Sequence, residues 1–153
     1  MTFTELFGDD AILLDMNEPD ADAVLARLAS SLASLNSDLA GREQEILDAL
    51  LERETRGSTG SQGVGIPHVK LPGISKVTAV LGVHRGGVDF RALDGEQVHV
   101  FFSVVRPEES AEDHLDLLRW IAGIAQHEDF VSFACQASSS EQIQELLGEL
   151  SAA

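Results

Sequence analysis

The chain has 153 residues, 44% hydrophobic and 24% charged, a composition typical of a globular domain with a hydrophobic core. Its 26 acidic and 10 basic residues give a formal net charge of −16. This balance argues against nucleic-acid binding and against docking on anionic membranes, since both depend on clustered Lys and Arg. No apolar run approaches the roughly 20 residues of a membrane span, and the acidic N-terminus lacks the basic start of a signal peptide. We therefore expect a cytoplasmic protein of one domain, residues 1–153, without membrane insertion.

The first predicted elements are a strand and two helices. The apolar run from Ala11 to Met16 predicts a short strand. A helix is predicted to begin after Pro19-Asp20 and to end at Asn36-Ser37-Asp38, and a second to run from about Arg42 to Glu54. The first helix carries apolar residues at helical spacing, namely Val24, Leu25, Leu28, Leu32 and Leu35.

Two apolar runs further along the chain predict the main strands of a sheet. Lys76–Val83 is almost continuously apolar, which is typical of a central strand covered on both faces. Val98–Val105 predicts the second. Turn signals at Arg85-Gly86-Gly87-Val88 and Leu93-Asp94-Gly95-Glu96 lie between them, and Arg106-Pro107-Glu108-Glu109 is predicted to end the second strand.

The C-terminal third of the chain is predicted to be helical. Ser110 and Asp113 resemble the N-cap and third position of a capping box. The helix that follows is expected to bury one face, with Leu117, Leu118, Ile121, Ile124 and Ala125. A segment around Phe130 leads to a last helix, Glu141–Leu150. Buried strands interleaved with helix pairs predict an α/β fold, a three-layer sandwich in which helices flank a mixed β-sheet.

A glycine-rich stretch, Arg53–Lys70, separates the second helix from the first long strand. It contains Gly57, Gly60, Gly63 and Gly65, which let the backbone approach a ligand without a Cβ in the way. Pro67 fixes its own φ and gives His68 a defined direction out of the loop. An arginine, flexible backbone and a directed imidazole are typical of an anion or phosphoryl site. The alternative is a turn-rich connection that carries a surface histidine.

The other four of the five histidines occur in different contexts. His84 and His99 lie in or beside apolar strands and are expected to pack there, and His127 is expected to cap the C-terminus of a helix. His114 falls in the first turn of a helix, on its apolar face, where the N-terminus favours anions. Together with the arginine and histidine of the glycine-rich stretch, it would suit a phosphorylated imidazole. The single cysteine, Cys135, excludes an internal disulfide and is expected to be a small buried hydrophobe.

Four motifs occur in order along the chain: Arg53-Glu54 with Gly57-Ser58-Thr59-Gly60, Gly65-Ile66-Pro67-His68, Gly86-Gly87-Val88-Asp89-Phe90 with Ala92-Leu93-Asp94-Gly95, and Pro107-Glu108 with His114-Leu115-Asp116-Leu117-Leu118. With these motifs the chain, from Ile12 to Leu147, resembles the EIIA proteins of the bacterial phosphoenolpyruvate-dependent phosphotransferase system (PTS), of the fructose/mannitol and nitrogen-regulatory type.

The resemblance implies a role for each site residue. His68 would be the nucleophile that takes a phosphoryl group from a small histidine phosphocarrier protein of the HPr or NPr kind. His114 would support the phosphohistidine, Arg53 would contact the phosphoryl group, and Thr59 and Gly60 would shape the phosphate-binding turn. No metal or organic cofactor is expected.

The predicted role of the chain leaves alternatives open. The chain ends soon after one EIIA-like domain, so it is expected to be a stand-alone member of the nitrogen-regulatory branch, which controls target proteins through its phosphorylation state. Alternatively, it donates phosphate to a separate EIIB protein in sugar transport. A third hypothesis is an EIIA-like binding module that no longer carries phosphate. A fourth, a metal hydrolase that uses His68, His114 and a carboxylate such as Asp113, lacks a tight ligand spacing.

One departure from the family pattern motivates the binding-module hypothesis. Family members typically read Thr-Gly-x-Gly-x-Gly-x-Ala-x-Pro-His, whereas this chain has one residue fewer between Thr59-Gly60 and Pro67-His68. Gly65 also replaces the usual alanine. We expect the shorter loop to close around the same site, because loops absorb single-residue changes more easily than helices and strands do.

Overall fold

The computed structural model describes residues 3–108 and 111–151, and for residues 111–113 it describes the backbone only. The strands of its five-stranded sheet are β1 (Ile12–Leu13), β2 (Val64–Gly65), β3 (His68–Leu71), β4 (Thr78–Val88) and β5 (Val98–Pro107). The helices are α1 (Ala21–Leu35), α2 (Glu43–Thr55), α3 (Ala111–Ala125), α4 (Phe130–Gln136) and α5 (Ser140–Ser151). No helix in these described ranges is long and apolar enough to cross a membrane.

The sheet is mixed, as predicted. β4 and β5 pair antiparallel at its centre, and β1 lies parallel to β4 on one side. On the other side β2 and β3 follow one another along β5, both parallel to it. Ile66 and Pro67 separate these two short strands, so the glycine-rich stretch supplies an edge of the sheet.

Two hydrophobic cores confirm the predicted three layers. One core lies between the sheet and helices α1 and α2, and the other between the sheet and helices α3, α4 and α5. Phe101 and Phe102, adjacent in β5, point into opposite cores and are both fully buried. The alternation along a strand therefore tells which side chains face which helical layer.

The helix predictions from periodicity are confirmed. Asp20 caps α1 by accepting a hydrogen bond from Ala23 N at 2.8 Å. Ser139 Oγ accepts a longer bond from Gln142 N, at 3.3 Å, at the start of α5. The proposed capping box cannot be compared, because Ser110 and the Asp113 side chain lie outside the described residues.

Three predicted element boundaries are wrong. The first strand covers Ile12–Leu13 rather than Ala11–Met16, because Asp9–Ala11 forms a 3₁₀ turn. The predicted turn at Arg85–Val88 is instead the end of β4, where the register with β5 shifts and Gly87 adopts a φ of 77°. This irregularity in the strand pairing resembles a turn in sequence because it also uses glycine at a positive φ. β5 also continues through Arg106 to Pro107, where it pairs with Leu71.

Arg85 joins the end of β4 to the chain around β1 and α4. Its Nε donates to Cys135 O at 2.8 Å, Nη1 to Leu14 O at 2.9 Å and Nη2 to Ala137 O at 2.5 Å. Cys135 itself is half-buried, and burial raises the pKa of its thiol.

We expect Arg85→Met to lower the free energy of unfolding by about 2 kcal/mol, because three charge-assisted hydrogen bonds to backbone carbonyls are lost, although the residue itself is exposed. Urea unfolding measures the change. Arg119→Met is the matched control, since the Arg119 side chain is 75% exposed and its loss is expected to cost less than about 0.5 kcal/mol. Equal midpoints for the two variants would contradict a structural role of Arg85.

Candidate functional site

A chain of hydrogen bonds connects the end of α2 to the segment before His68. Glu54 accepts from Thr59 N at 3.0 Å through Oε1 and from the Thr59 hydroxyl at 2.9 Å through Oε2. Thr59 Oγ1 in turn accepts from Ile66 N at 3.1 Å. Glu54 and Thr59 are half-buried, so the glycine-rich stretch is fixed across its middle rather than free to move as a whole.

His68 is the first residue of β3, not a loop residue as the sequence indicated. It pairs with Val104 of β5 and is half-buried. Its Nδ1 lies 2.6 Å from Ile66 O. Since a carbonyl oxygen can only accept, Nδ1 carries the hydrogen in this contact, and the lone pair of the neutral ring is therefore on Nε2.

The His68 side chain lies on the face of the sheet that α3 covers. Val69 and Leu71 lie at odd spacing from His68 along β3, so they point to the opposite face, and both belong to the core of α1 and α2. Val104, which pairs with His68, belongs to the core of α3. His114 is on the buried side of α3 and is 5% exposed. Both histidines therefore belong to the same layer of the molecule.

His114 also lines a cleft of about 1050 Å³ between the start of α3 and the N-terminal residues. The cleft extends to the segment Ser75–Ala79, and His68 is not among the described residues that line it.

Arg53 lies in the last turn of α2 and is half-buried. Its Nη1 donates to Gly57 O at 3.0 Å, which places the guanidinium at the beginning of the glycine-rich stretch. Its contact with a phosphoryl group stays a prediction.

Gly60 is buried, and both its backbone groups are used within the fold. Its N–H donates to Ser58 Oγ at 3.0 Å, and its carbonyl accepts from Leu93 N at 3.0 Å. A Cβ at this position would lie 3.0 Å from Val98 Cγ2. The structure thus gives Gly60 a packing role, and its contact with phosphate stays a prediction.

The loop closes through a tight turn at Ser61–Val64. Ser61 and Val64 exchange both backbone hydrogen bonds, at 2.8 and 3.0 Å, and Gln62 and Gly63 have φ values of 55° and 81°. Two left-handed residues in succession are typical of a type I′ turn. Gly65 follows, where a Cβ would lie 3.1 Å from the Phe101 ring. A side chain at position 65 would therefore crowd the Phe101 ring.

Asp94 holds Gln62, the first of the two left-handed residues of this turn, in place. Its Oδ2 accepts from Gln62 N at 2.8 Å and its Oδ1 from Glu96 N at 3.1 Å. These backbone bonds, that of Gln62 first, lower the pKa of the Asp94 carboxyl below its ordinary value of 3.8.

We expect the chemical shift of the Gln62 amide proton to change with pH as the Asp94 carboxyl titrates, with a midpoint below 3.8, the ordinary pKa of Asp. A lowered folded pKa means that the bond stabilises the turn above pH 3.8 and is lost as the pH falls through the folded pKa. Amide chemical shifts between pH 2 and 6 measure the midpoint, and Asp94→Asn is expected to remove the titration. A midpoint at or above the ordinary value would contradict the assignment.

The remaining histidines have structural roles. His84 is 6% exposed and its Nε2 donates to Glu18 O at 2.8 Å, and His99 contacts the backbone of β4. Packing in the strands is confirmed for both. In the described part of the chain no side-chain hydrogen bond joins His127 to a helix carbonyl, contrary to the predicted cap, and its Nδ1 accepts from Asp129 N at 3.4 Å.

Sequence reasoning gave no role to Glu54 or Asp94. Glu54 follows Arg53 directly, and Asp94 belongs to the Ala92–Gly95 motif, so the motifs contained both residues. Their partners, Thr59 and Gln62, became evident only in the structure.

Among the described side chains, no group of three or more His, Cys, Asp or Glu residues could hold a metal ion. The Asp113 side chain of the metal-hydrolase hypothesis is outside the described part.

The sequence model of one protein family, described as the phosphoenolpyruvate-dependent sugar phosphotransferase system, EIIA 2, matches residues 5–149. The chain belongs to this EIIA family. Members of this family are phosphotransferases that act as phosphohistidine carriers, so this EIIA protein is a phosphocarrier component of the system.

Two curated relatives of this EIIA differ in their described roles. A PTS fructose-specific EIIA component of Haloferax volcanii is 37% identical over 105 residues, 68% of this chain and 68% of the relative. A nitrogen regulatory protein of Bradyrhizobium diazoefficiens is 32% identical over 130 residues, 84% of this chain and 83% of the relative.

Solved structures agree with the family. The crystal structure of the nitrogen regulatory protein IIA-Ntr from Neisseria meningitidis has a TM-score of 0.87 at 28% identity, over 94% of this chain and 97% of that chain. The mannitol IIA of Escherichia coli has a TM-score of 0.74 at 18% identity, over 92% of this chain and 97% of that one, and shows the same fold.

Proposed function

We propose that this EIIA protein accepts a phosphoryl group on Nε2 of His68 from a histidine phosphocarrier protein. The observation that carries the proposal is the 2.6 Å contact between His68 Nδ1 and Ile66 O. This contact fixes the tautomer and leaves Nε2 as the nucleophile. The position of His68 in a paired strand also limits the orientations of the ring, as in-line transfer requires.

The phosphoryl transfer needs no separate acid or base, because no proton has to move. Nε2 attacks the phosphorus of the donor phosphohistidine, the N–P bond of the donor breaks, and the donor imidazole keeps the electron pair. The ring of His68 then carries both the phosphoryl group and the hydrogen on Nδ1. Its new positive charge is stabilised by Ile66 O, which already accepts that hydrogen. Arg53, Thr59, Gly60 and His114 would surround the phosphoryl group and compensate its charge.

We further propose that the phosphorylation state of this chain regulates a target protein. Support comes from the nitrogen regulatory proteins among its relatives and neighbours, of which the IIA-Ntr structure is similar over 94% of this chain. A target would then bind one phosphorylation state more tightly than the other.

Sugar transport is the second candidate function. It is supported by the 37% identity to a fructose-specific EIIA component. A complex of IIAMTL with phosphorylated IIBMTL from Escherichia coli shares the fold, with a TM-score of 0.74. Phosphate transfer to a separate EIIB protein of the same cell would favour transport. Capture of a target by one phosphorylation state, without transfer, would favour regulation.

The first test is intact mass after incubation with phosphoenolpyruvate, enzyme I and a histidine phosphocarrier protein. We expect a gain of one acid-labile phosphoryl group. No gain with several competent donors would overturn the proposal and favour the phosphate-independent binding module.

His114→Gln is expected to remain phosphorylatable but to transfer its phosphoryl group onward about tenfold more slowly. The reason is that His114 would contact the phosphoryl group in the transition state of onward transfer rather than attack the donor, and the loss of one such contact corresponds to roughly a factor of ten. Single-turnover decay of the phosphorylated protein in the presence of an acceptor measures this step. Onward transfer at the wild-type rate would remove the supporting role of His114.

A further inference from the structure

Two cations lie opposite one another next to His68. In the parallel ladder of β3 and β5, Lys70 pairs with Arg106, two residues along from the pair of His68 with Val104. Neighbouring strands are about 4.8 Å apart, and residues two apart on one strand are separated by roughly 6.6 Å. Lys70 and Arg106 are therefore within side-chain reach of a group bound to His68.

The two cations lie on the same face of the sheet as His68. Val69 and Leu71 of β3, like Val105 of β5, belong to the core of α1 and α2. By alternation Lys70 and Arg106 point toward the layer of α3, as His68 does. Arg53 belongs to α2, which packs on the opposite face, so the Lys70–Arg106 pair would approach the His68 ring from a different side.

Neither cation has a counter-charge in the described part of the chain. No carboxylate there lies within 4.0 Å of Lys70 or Arg106, whereas Arg27 has two such partners and Arg42, Arg56 and Arg119 have one each. The chain has 26 acidic residues, so the lack of a carboxylate partner is not caused by a shortage of acids. Arg106 is also half-buried, which makes an uncompensated charge more costly. Like charges directly opposite on a ladder are unfavourable, and a bound dianion would reverse that repulsion.

We propose that Lys70 and Arg106 form a dianion subsite that binds the oxygens of the phosphoryl group on His68. This inference rests on the proposed phosphorylation of His68 and adds two binding residues to that site. In a chain of net charge −16, a phosphoryl dianion needs local positive charge to be held. The pair supplies it on the face of the sheet that carries the nucleophile.

The test uses Lys70→Gln, Arg106→Gln and the double variant, with Arg119→Gln as the matched control. Each single variant lowers the net charge by one, but the Arg119 side chain is 75% exposed and faces Asp116. Phosphoramidate serves as a small donor, because it phosphorylates an imidazole without any protein docking. We expect about tenfold slower phosphorylation for each single variant and about a hundredfold for the double variant.

Two outcomes of the kinetic test would overturn the subsite. One is that both single variants react with phosphoramidate as fast as Arg119→Gln does. The other is that only the protein donor is affected, because the pair would then act in docking and not on the phosphoryl group.

A second measurement separates failure of the subsite from failure of the proposed function. Inorganic phosphate is titrated into unphosphorylated His68→Ala protein while backbone amide shifts are recorded. We expect saturable shifts at residues 70 and 106 that Lys70→Gln and Arg106→Gln each remove and Arg119→Gln retains. If no donor phosphorylates the wild-type chain, the proposed function fails, and this titration alone decides on the subsite. The absence of saturable shifts at both residues would overturn it.

Discussion

His68→Ala is expected to lower phosphoryl acceptance from a histidine phosphocarrier protein by on the order of 10⁴-fold or more, since removal of a nucleophile leaves no group to form the N–P bond. The fold should persist. His68 is half-buried at the start of a four-residue strand, and its truncation is expected to cost about 1 kcal/mol of unfolding free energy. Intact mass under acid-free conditions measures acceptance, and urea unfolding measures stability.

His127→Ala is the matched control for this variant. His127 is exposed and lies between α3 and α4, so its removal also deletes one imidazole but leaves β3 untouched. We expect it to be phosphorylated as fast as the wild type. A phosphoryl group that still appears on His68→Ala protein would place the acceptor on another histidine, and loss of acceptance in His127→Ala would show that the assignment of His68 was wrong.

The helices were predictable from sequence because their signals are local. Apolar spacing and Asp20 as N-cap placed α1, and the predicted second helix, about Arg42–Glu54, differs from the observed Glu43–Thr55 by one residue at each end. The short strands β2 and β3 were not predicted. They have two and four residues, too few to show a period, and their pairing with β5 depends on residues more than 30 positions away.

The sequence named candidate site residues, which stay a prediction, but it did not give the connections between them. Motif resemblance named Arg53, Thr59 and His68, because families retain residue types in order along the chain. It did not give the hydrogen bonds from Glu54 through Thr59 to Ile66, which depend on how the loop returns to the end of α2. The motif also gave no reason for glycine at position 65, since the Phe101 ring that fills the space comes from β5.

These connections make Thr59 the second residue whose replacement should have a large effect. Its hydroxyl donates to Glu54 Oε2 and accepts from Ile66 N, and Ile66 O receives the hydrogen of His68 Nδ1. Thr59→Val preserves the shape of the side chain but leaves a half-buried N–H and a carboxylate oxygen without their partner. We expect a loss of about 2 kcal/mol in unfolding free energy and, because Ile66, whose carbonyl orients His68, is held less firmly, about tenfold slower phosphorylation.

Thr59→Ser distinguishes the effect of losing the hydroxyl from the effect of losing the methyl group, because serine keeps the oxygen that bonds Glu54 and Ile66. It is expected to retain most of the stability and the wild-type rate of phosphorylation. Imidazole ¹⁵N shifts report the tautomer of His68 in each variant. We expect hydrogen on Nδ1 in the wild type and in Thr59→Ser, and a mixture of both tautomers in Thr59→Val, since Ile66 O is then held less firmly. If the valine variant matched the serine variant in rate and in tautomer, the orientation of His68 would depend on β3 pairing alone and not on the anchor at Thr59.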